Sequence, residues 1–286
     1  MKLKRDKHDS LGPPRSLSSS ARAKIVGGGA FVLLVLLAGL FLPLPHSAVE
    51  PRPLETYLPP GPTYWFGTDS AGFDVFSRVI RSARTDIPIA LGGVLIACVI
   101  GTPLGVILSR TTRFSEFAMR ILDVFQAFPL LIILMVLVAV SGNSGDVTII
   151  IGAVGFGNLP LFIRLVRAES MRIRTLRFVD AAEVAGASPL RVSLRHVMPN
   201  ATPIALAQFS LSAGYAIVLL AALGYLGIGV LPPTPTWGGM INTGAQQLGN
   251  GIWWTLAFPA VAISLTVMSL NLVADGIRSW LMDPRD

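Results

Sequence analysis

Between His196 and Asp275 this chain contains no Asp, Glu, Lys or Arg. A soluble domain carries roughly 25% charged residues throughout, so an uncharged run of this length belongs in a bilayer. It is too long for one helix, because a hydrocarbon core takes about 20 apolar residues. Pro232, Pro233, Pro235 and the pair Gly238 and Gly239 interrupt it. The run therefore reads as two spans, about 200–229 and about 254–276, joined by a loop rich in Pro, Gly and Trp. Other charge-poor intervals supply the rest: Ile25 to Pro45, Asp86 to Arg110, Asp123 to Asp146, and a shorter Gly-rich one from Asp146 towards Arg164. The expectation is an all-α membrane protein of six transmembrane helices. Whole-chain composition agrees, with only 14% charged and 52% hydrophobic residues.

The basic residues orient the spans. With the N-terminus inside, nineteen of the 23 Lys and Arg face the cytoplasm and four (Arg52, Arg78, Arg81, Arg84) lie outside. That asymmetry places both termini in the cytoplasm. The formal charge of +7 is thus topology and contact with anionic membrane lipid, not a sign of nucleic acid. The first span has the basic flank of a secretory signal. That flank is long, however, and His46-Ser47-Ala48 is a poor cleavage site, so it reads as a retained helix.

Several chemistries are excluded. One cysteine, Cys98, and three scattered histidines offer neither a disulfide framework nor a zinc centre. No Walker loop, His-Glu-x-x-His run or Gly-x-Ser-x-Gly elbow is present. The acids near the spans, Asp123, Asp146 and Asp275, fall at expected helix ends, whereas an ion-coupled carrier keeps an ionisable group near the membrane middle. No catalytic residue, resident cofactor or metal is expected, and any energy input has to come from another chain.

Outside the spans the chain divides into residues 1–24, a polar cytoplasmic tail; 25–45, the first span; 46–85, an outer segment; 86–280, the remaining core; and 281–286, a short tail. The outer segment starts Pro-rich. In its second half Phe73, Phe76, Val79 and Ile80 recur at helical spacing while Arg78, Arg81 and Arg84 take another face, which predicts a short amphipathic helix on the outer membrane surface. Trp237, Trp253 and Trp254 suit the membrane–water interface or a docking face.

The cytoplasmic loop 167–199 is punctuated as two helices. The first ends at Gly186, suited to a left-handed C-terminal turn. Ser188 offers an N-cap hydroxyl and Pro189 occupies the first helical position. Leu190, Leu194, Val197 and Met198 form one stripe of the second helix, with Arg191 and Arg195 on another. Pro199 precedes the fifth span. Ala181, Ala182, Ala185, Gly186 and Ala187 leave the corner without bulky side chains, so another backbone can approach closely.

The segment DAAEVAGASPLRVSLRHVMPN, Asp180 to Asn200, resembles the EAA signature of binding-protein-dependent ABC importer permeases. Ala181, Ala182, Gly186 and Pro199 match it, with Asp180 for the usual Glu. FGTDSAGFDVFSR (66–78), ILDVFQAFPLL (121–131), LGYLGIGVLPPTPTWGGM (223–240) and SLNLVADGIRSWLMDPR (269–285) resemble the C-type permease subunit of dipeptide and oligopeptide importers. Phe73 stands where that family usually has Arg. The resemblance implies the type I importer fold in a bacterial inner membrane, with half of a pathway for short peptides in this chain. It further implies a second permease subunit, two ATPase subunits that hold ATP and magnesium, and an external binding protein. The coupling loop would comprise Asp180, Ala181, Ala182, Gly186, Ser188, Pro189 and Pro199. Relatives that carry nickel or another small solute are the alternative within transport; a structural or assembly membrane protein is the alternative outside it.

Overall fold

A computed structural model describes residues 19–141 and 145–281. Ten α-helices account for most of them: α1 (Ser19–Phe41), α2 (Val75–Leu108), α3 (Arg113–Gln126), α4 (Leu130–Val140), α5 (Val147–Arg174), α6 (Arg177–Val184), α7 (Pro189–Val192), α8 (Met198–Tyr225), α9 (Trp237–Ala245) and α10 (Trp254–Leu281). Among the described residues no helix pair is joined by a sheet; the sole strand-like pairing is the isolated bridge of Thr68 with Asp74. The N-terminal tail expected over 1–24 lies outside the described residues as far as 18, and the C-terminal tail from 282 onward.

Five helical stretches are long and apolar enough to cross a membrane, and α3 with α4 make a sixth only as a pair bent by 86°. The bend corrects the expected third span. Ala127, Phe128 and Pro129 separate the two helices, and Pro129 serves as the N-cap of α4. At 1.5 Å per residue the 11 residues of α4 cover about 16 Å, half of a bilayer core. Beside the bend lies a hollow of about 390 Å³ lined by Phe125, Gln126, Phe156, Asn158 and Tyr215 among others. The fourth span, by contrast, runs unbroken through its glycines and Pro160 as the 28-residue α5.

α2 is the centre. Its 34 residues include eighteen buried ones, and it packs against α1, α5 and α8. Glycines permit the closest of these contacts. A Cβ on Gly93 would lie 2.6 Å from Val154, one on Gly101 2.7 Å from the Phe162 Cβ, and one on Gly105 2.8 Å from the Ile163 carbonyl oxygen. In lipid, where apolar side chains gain nothing by leaving solvent, this small-residue seam is what brings two helices together. α1 is mostly exposed but meets α10 through Gly28 and Gly276: a Cβ on Gly28 would strike the Ser269 carbonyl oxygen, and one on Gly276 would lie 2.9 Å from that of Ala21. The start of α1 and the end of α10 therefore share one side of the membrane.

The amphipathic helix expected along the outer surface over the second half of 46–85, leading into the second span, is continuous with that span as the first turns of α2. Asp74 caps it, accepting from the Ser77 N–H at 3.1 Å, and no breaker follows until Pro88, which the long helix absorbs. Val75 and Val79 are buried against Met240 and Trp254, not lipid.

Replacing Gly105 by Leu forces the α2–α5 seam apart. The expected cost is about 2–3 kcal/mol, read as a melting temperature lowered by roughly 5–10 °C in detergent. The control Gly29→Leu, with open space at its Cβ, leaves the melting temperature unchanged.

Candidate coupling site and outer anchor

The cytoplasmic ends of α2, α5 and α8 carry a hairpin made of α6, a tight corner and α7. At the corner α6 closes with two hydrogen bonds, Ala187 N–H to the Ala182 carbonyl at 3.1 Å and Gly186 N–H to the Glu183 carbonyl at 2.9 Å. With Gly186 at φ +82° this is a Schellman cap, which needs a residue without a Cβ at its left-handed position. No atom lies within 4 Å of where a Gly186 side chain would begin, so the corner faces open space. The Ser188 hydroxyl then accepts from the Arg191 N–H at 3.4 Å, and Pro189 opens α7.

The structure brings together six of the seven sequence-predicted residues at this corner. Asp180, Ala181, Gly186, Ser188 and Pro189 are exposed, and Ala182 is half-buried on the hairpin's inner side. Pro199 sits apart, in the first turn of α8. It does not begin a new helix, because α7, a five-residue π turn over Ser193–Val197 and α8 form one continuous stretch from Pro189 to Tyr225.

The π turn corrects the predicted apolar stripe. Val197 is buried and Met198 half-buried, but Leu190 is 60% exposed and Leu194 40%. A π turn takes one more residue than an α turn, so the inward positions step from Val192 to Val197 and only then resume at Ala201 and Ala205. Leu190, Leu194 and the 90% exposed Val184 are left as an apolar surface around the glycine corner. The hairpin's base is firm: Val179, Val192 and Val197 pack on Val106, Val166 and Ile173.

Two arginines of α5, unremarked in the sequence beyond their part in the charge asymmetry, finish this end. Arg167 Nε donates to the Leu108 carbonyl at 2.9 Å. Arg174 Nε donates to the Ser109 hydroxyl at 2.7 Å and its Nη2 to the Ser193 hydroxyl at 2.6 Å. Cations at the carbonyl end of a helix are the one signal that marked them, and it is a general one.

At the opposite end, the stretch FGTDSAGFD is a knot. Asp69 accepts from the Ala71 and Phe73 N–H groups at 2.9 and 3.1 Å, and Thr68 bonds to Leu58 in both directions. A side chain on Gly72, at φ +78°, would collide with the Arg52 carbonyl oxygen. Arg78 is buried, 3.9 Å from Asp69, and donates to the Ala48 carbonyl. Its guanidinium lies 4.2 Å from the centre of the Phe73 ring, a cation–π contact at the place where Arg is usual in the resembling family. Burial pushes the Asp69 carboxyl above its ordinary range, while the two N–H donors and Arg78 oppose that rise.

Trp237 and Trp254 are core residues, in contrast to the expected interfacial role. The Trp237 backbone N–H donates to Asp86 Oδ2 at 2.8 Å and its indole N–H to the Val79 carbonyl at 2.9 Å. The Trp254 indole donates to the Thr68 carbonyl at 3.1 Å. Each has a buried partner for its polar edge, which is what allows an indole inside; of the three tryptophans expected at the interface, Trp253 is the exposed one.

Comparison with known proteins places these features. Residues 82–285 match the family model of the binding-protein-dependent transport system inner membrane component. The dipeptide transport system permease protein of Alkalihalophilus pseudofirmus is 34% identical over 90% of this chain and 83% of its own length. The di/tripeptide transport system permease protein of Pseudomonas aeruginosa is 35% identical over 91% of this chain and 88% of its own. The glutathione transport system permease protein of Pectobacterium atrosepticum is 32% identical over 91% and 86%. Among solved structures, a chain of the MetNI methionine ABC transporter in an inward-facing conformation superposes over 71% of this chain and 96% of its own, with a TM-score of 0.59 at 19% identity. That likeness is one of fold.

Asp69→Ala strands the buried Arg78 charge and frees two N–H groups, at an expected cost of about 3 kcal/mol. Limited proteolysis of right-side-out vesicles should then cut between residues 46 and 74 where the parent chain resists.

Proposed function

Because the chain belongs to the family of binding-protein-dependent transport system inner membrane components, we propose that it forms half of the translocation pathway of an ATP-driven importer of short peptides. It is a multi-pass inner-membrane permease and a transport subunit. In the proposed complex a second permease supplies the other half, two ATPase subunits bind and hydrolyse ATP with magnesium, and an outer binding protein delivers the peptide. The substrate class rests on the relatives, whose names state dipeptides, di- and tripeptides and glutathione.

One observation carries the ATPase assignment: the open glycine corner ringed by Val184, Leu190 and Leu194 on a rigid base. Exposed aliphatic side chains on a cytoplasmic projection have neither lipid nor their own core to cover them, so a protein surface is their natural complement. Asp180, Ala181, Ala182, Gly186, Ser188 and Pro189 form the contact in this reading, with Pro199 at the root of the lever. Movement of the hairpin reaches α5 and α8 directly through the main chain.

The test is purification of the tagged chain from its native membranes in mild detergent, with mass spectrometry. A second permease and P-loop ATPases are expected to accompany it. Val184→Asp, at a site already 90% exposed, keeps the parent melting temperature but recovers at most about a tenth of the ATPase. Gly186→Trp also loses ATPase and peptide uptake, with about 1–2 kcal/mol of left-handed strain added to its own fold. Full ATPase recovery with both variants, or a parent chain that comes out alone, overturns the assignment.

A further inference from the structure

The hairpin is joined by main chain to α5 and α8, but α2, the central helix, has no covalent link to it. Movement has to reach α2 through non-covalent contacts. Along most of its length α2 meets α5 across glycines 93, 101 and 105. Such a seam brings backbones close and sets the side chains of Val154, Phe162 and Val166 of α5 against the glycines, contacts that are apolar and carry no bond direction. At the cytoplasmic end the character changes. Arg174, the last residue of α5, extends one guanidinium between two different neighbours.

On one side it reaches α2: Nε to the Ser109 hydroxyl at 2.7 Å and Nη2 to the Val106 carbonyl at a longer 3.5 Å. Ser109 is the C-cap of α2 and itself donates to the Val106 carbonyl at 2.6 Å. On the other side the same Nη2 reaches the hydroxyl of Ser193 at 2.6 Å. Ser193 is the first residue of the π turn, the point where the hairpin's second limb passes into α8. Both serines are almost fully buried, at 3% and 2% exposure, so water offers the guanidinium no equal substitute there. A short, charge-assisted bond at each end of a planar fork is stiff in direction as well as strong. The wider π turn interrupts the regular α-helical ladder of the continuous helix from Pro189 to Tyr225, since its hydrogen bonds span one more residue than those on either side.

We propose that Arg174 is a positioning residue for transport: it latches the π turn at the root of the coupling hairpin to the end of α2, so that displacement of the hairpin moves α2 together with α5 and α8. This rests on the reading of the hairpin as the ATPase contact. With the latch cut, the hairpin still receives ATPase movement, the π turn absorbs part of it, and α2 lags. The defect is then one of coupling, not of assembly.

The experiment uses the whole complex, co-purified from its native membranes and reconstituted in proteoliposomes with the binding protein and radiolabelled trialanine as probe. Peptide accumulated per ATP hydrolysed is the readout. Arg174→Lys keeps the charge but cannot bridge two hydroxyls in one plane, and Ser193→Ala removes only the hairpin-side acceptor. Each is expected to lower the transport-to-hydrolysis ratio about five- to tenfold, the scale of one net hydrogen bond. Assembled complex is expected in parent yield. A spin label on exposed Thr111 and another on exposed Arg195 of the π turn, in a Cys98→Ser background, report the second half. ATP changes their separation little in the parent, where the two ends move together, and by several Å more in the variants. A parent-like ratio and parent-like distances in both variants overturn the latch. Loss of the complex in Arg174→Lys with a parent-like ratio in Ser193→Ala also overturns it, because the residue is then structural. Absence of ATPase from the parent preparation overturns the hairpin reading instead, and the latch with it.

Discussion

In a bilayer, apolar side chains gain nothing by turning from lipid to one another, so α2 and α5 hold together by how nearly their backbones meet. The glycines at 93, 101 and 105 set that distance. With α2 and α5 packed closely along this seam, Leu134, Val138, Ala213 and Ile217 complete the core from α4 and α8. The outer knot and the cytoplasmic hairpin are then built on the two ends of the same pair. Asp86 belongs to this arrangement. It is buried on α2 and accepts from the first residue of α9, so the Pro-rich loop that precedes α9 is tied to the central helix rather than to the surface.

The two ends of this pair serve opposite needs. Outside, buried Thr68, Arg78 and Trp254 interlock with half-buried Asp69, which makes that segment a fixed platform. On the cytoplasmic side the hairpin corner is open and its aliphatic residues exposed. The contrast follows from local chemistry. Gly67 and Gly72 combine a positive φ with close neighbours, so a side chain there would be both strained and blocked, whereas Gly186 takes its positive φ in a helix cap that nothing crowds.

Where side-chain type alone decides the local structure, the chain was readable in advance. Uncharged length marked the spans, and Gly186, Ser188 and Pro189 marked the hairpin corner down to its caps. What escaped depended on partners remote in sequence. Trp237 looks like an interfacial residue until Asp86, far away in the chain, is found beneath it. Val79 looks lipid-facing until Met240 and Trp254 cover it. The π turn has no composition of its own; it emerges because Val192 and Val197 must both point inward, and it carries the apolar stripe out of phase. Arg174 was one basic residue among many on that side, with nothing to distinguish it before Ser109 and Ser193 were seen to flank it.

The bend between α3 and α4 has an electrical consequence. Residues 127–129 are exposed there, and wherever the bend enters the membrane its main-chain groups are stable only when met by water or by protein. Wherever water fills the adjacent hollow, the insulating layer in that sector shrinks to α4 and its neighbours, at most about 16 Å instead of about 30 Å. The resting membrane voltage then falls across roughly half the usual thickness, and the local field nearly doubles. Leu134 and Val138, fully buried at this level, have to act as a dielectric seal as well as a packing surface. A permease shaped this way must hold back protons and small ions across its thinnest sector even while no peptide is moving.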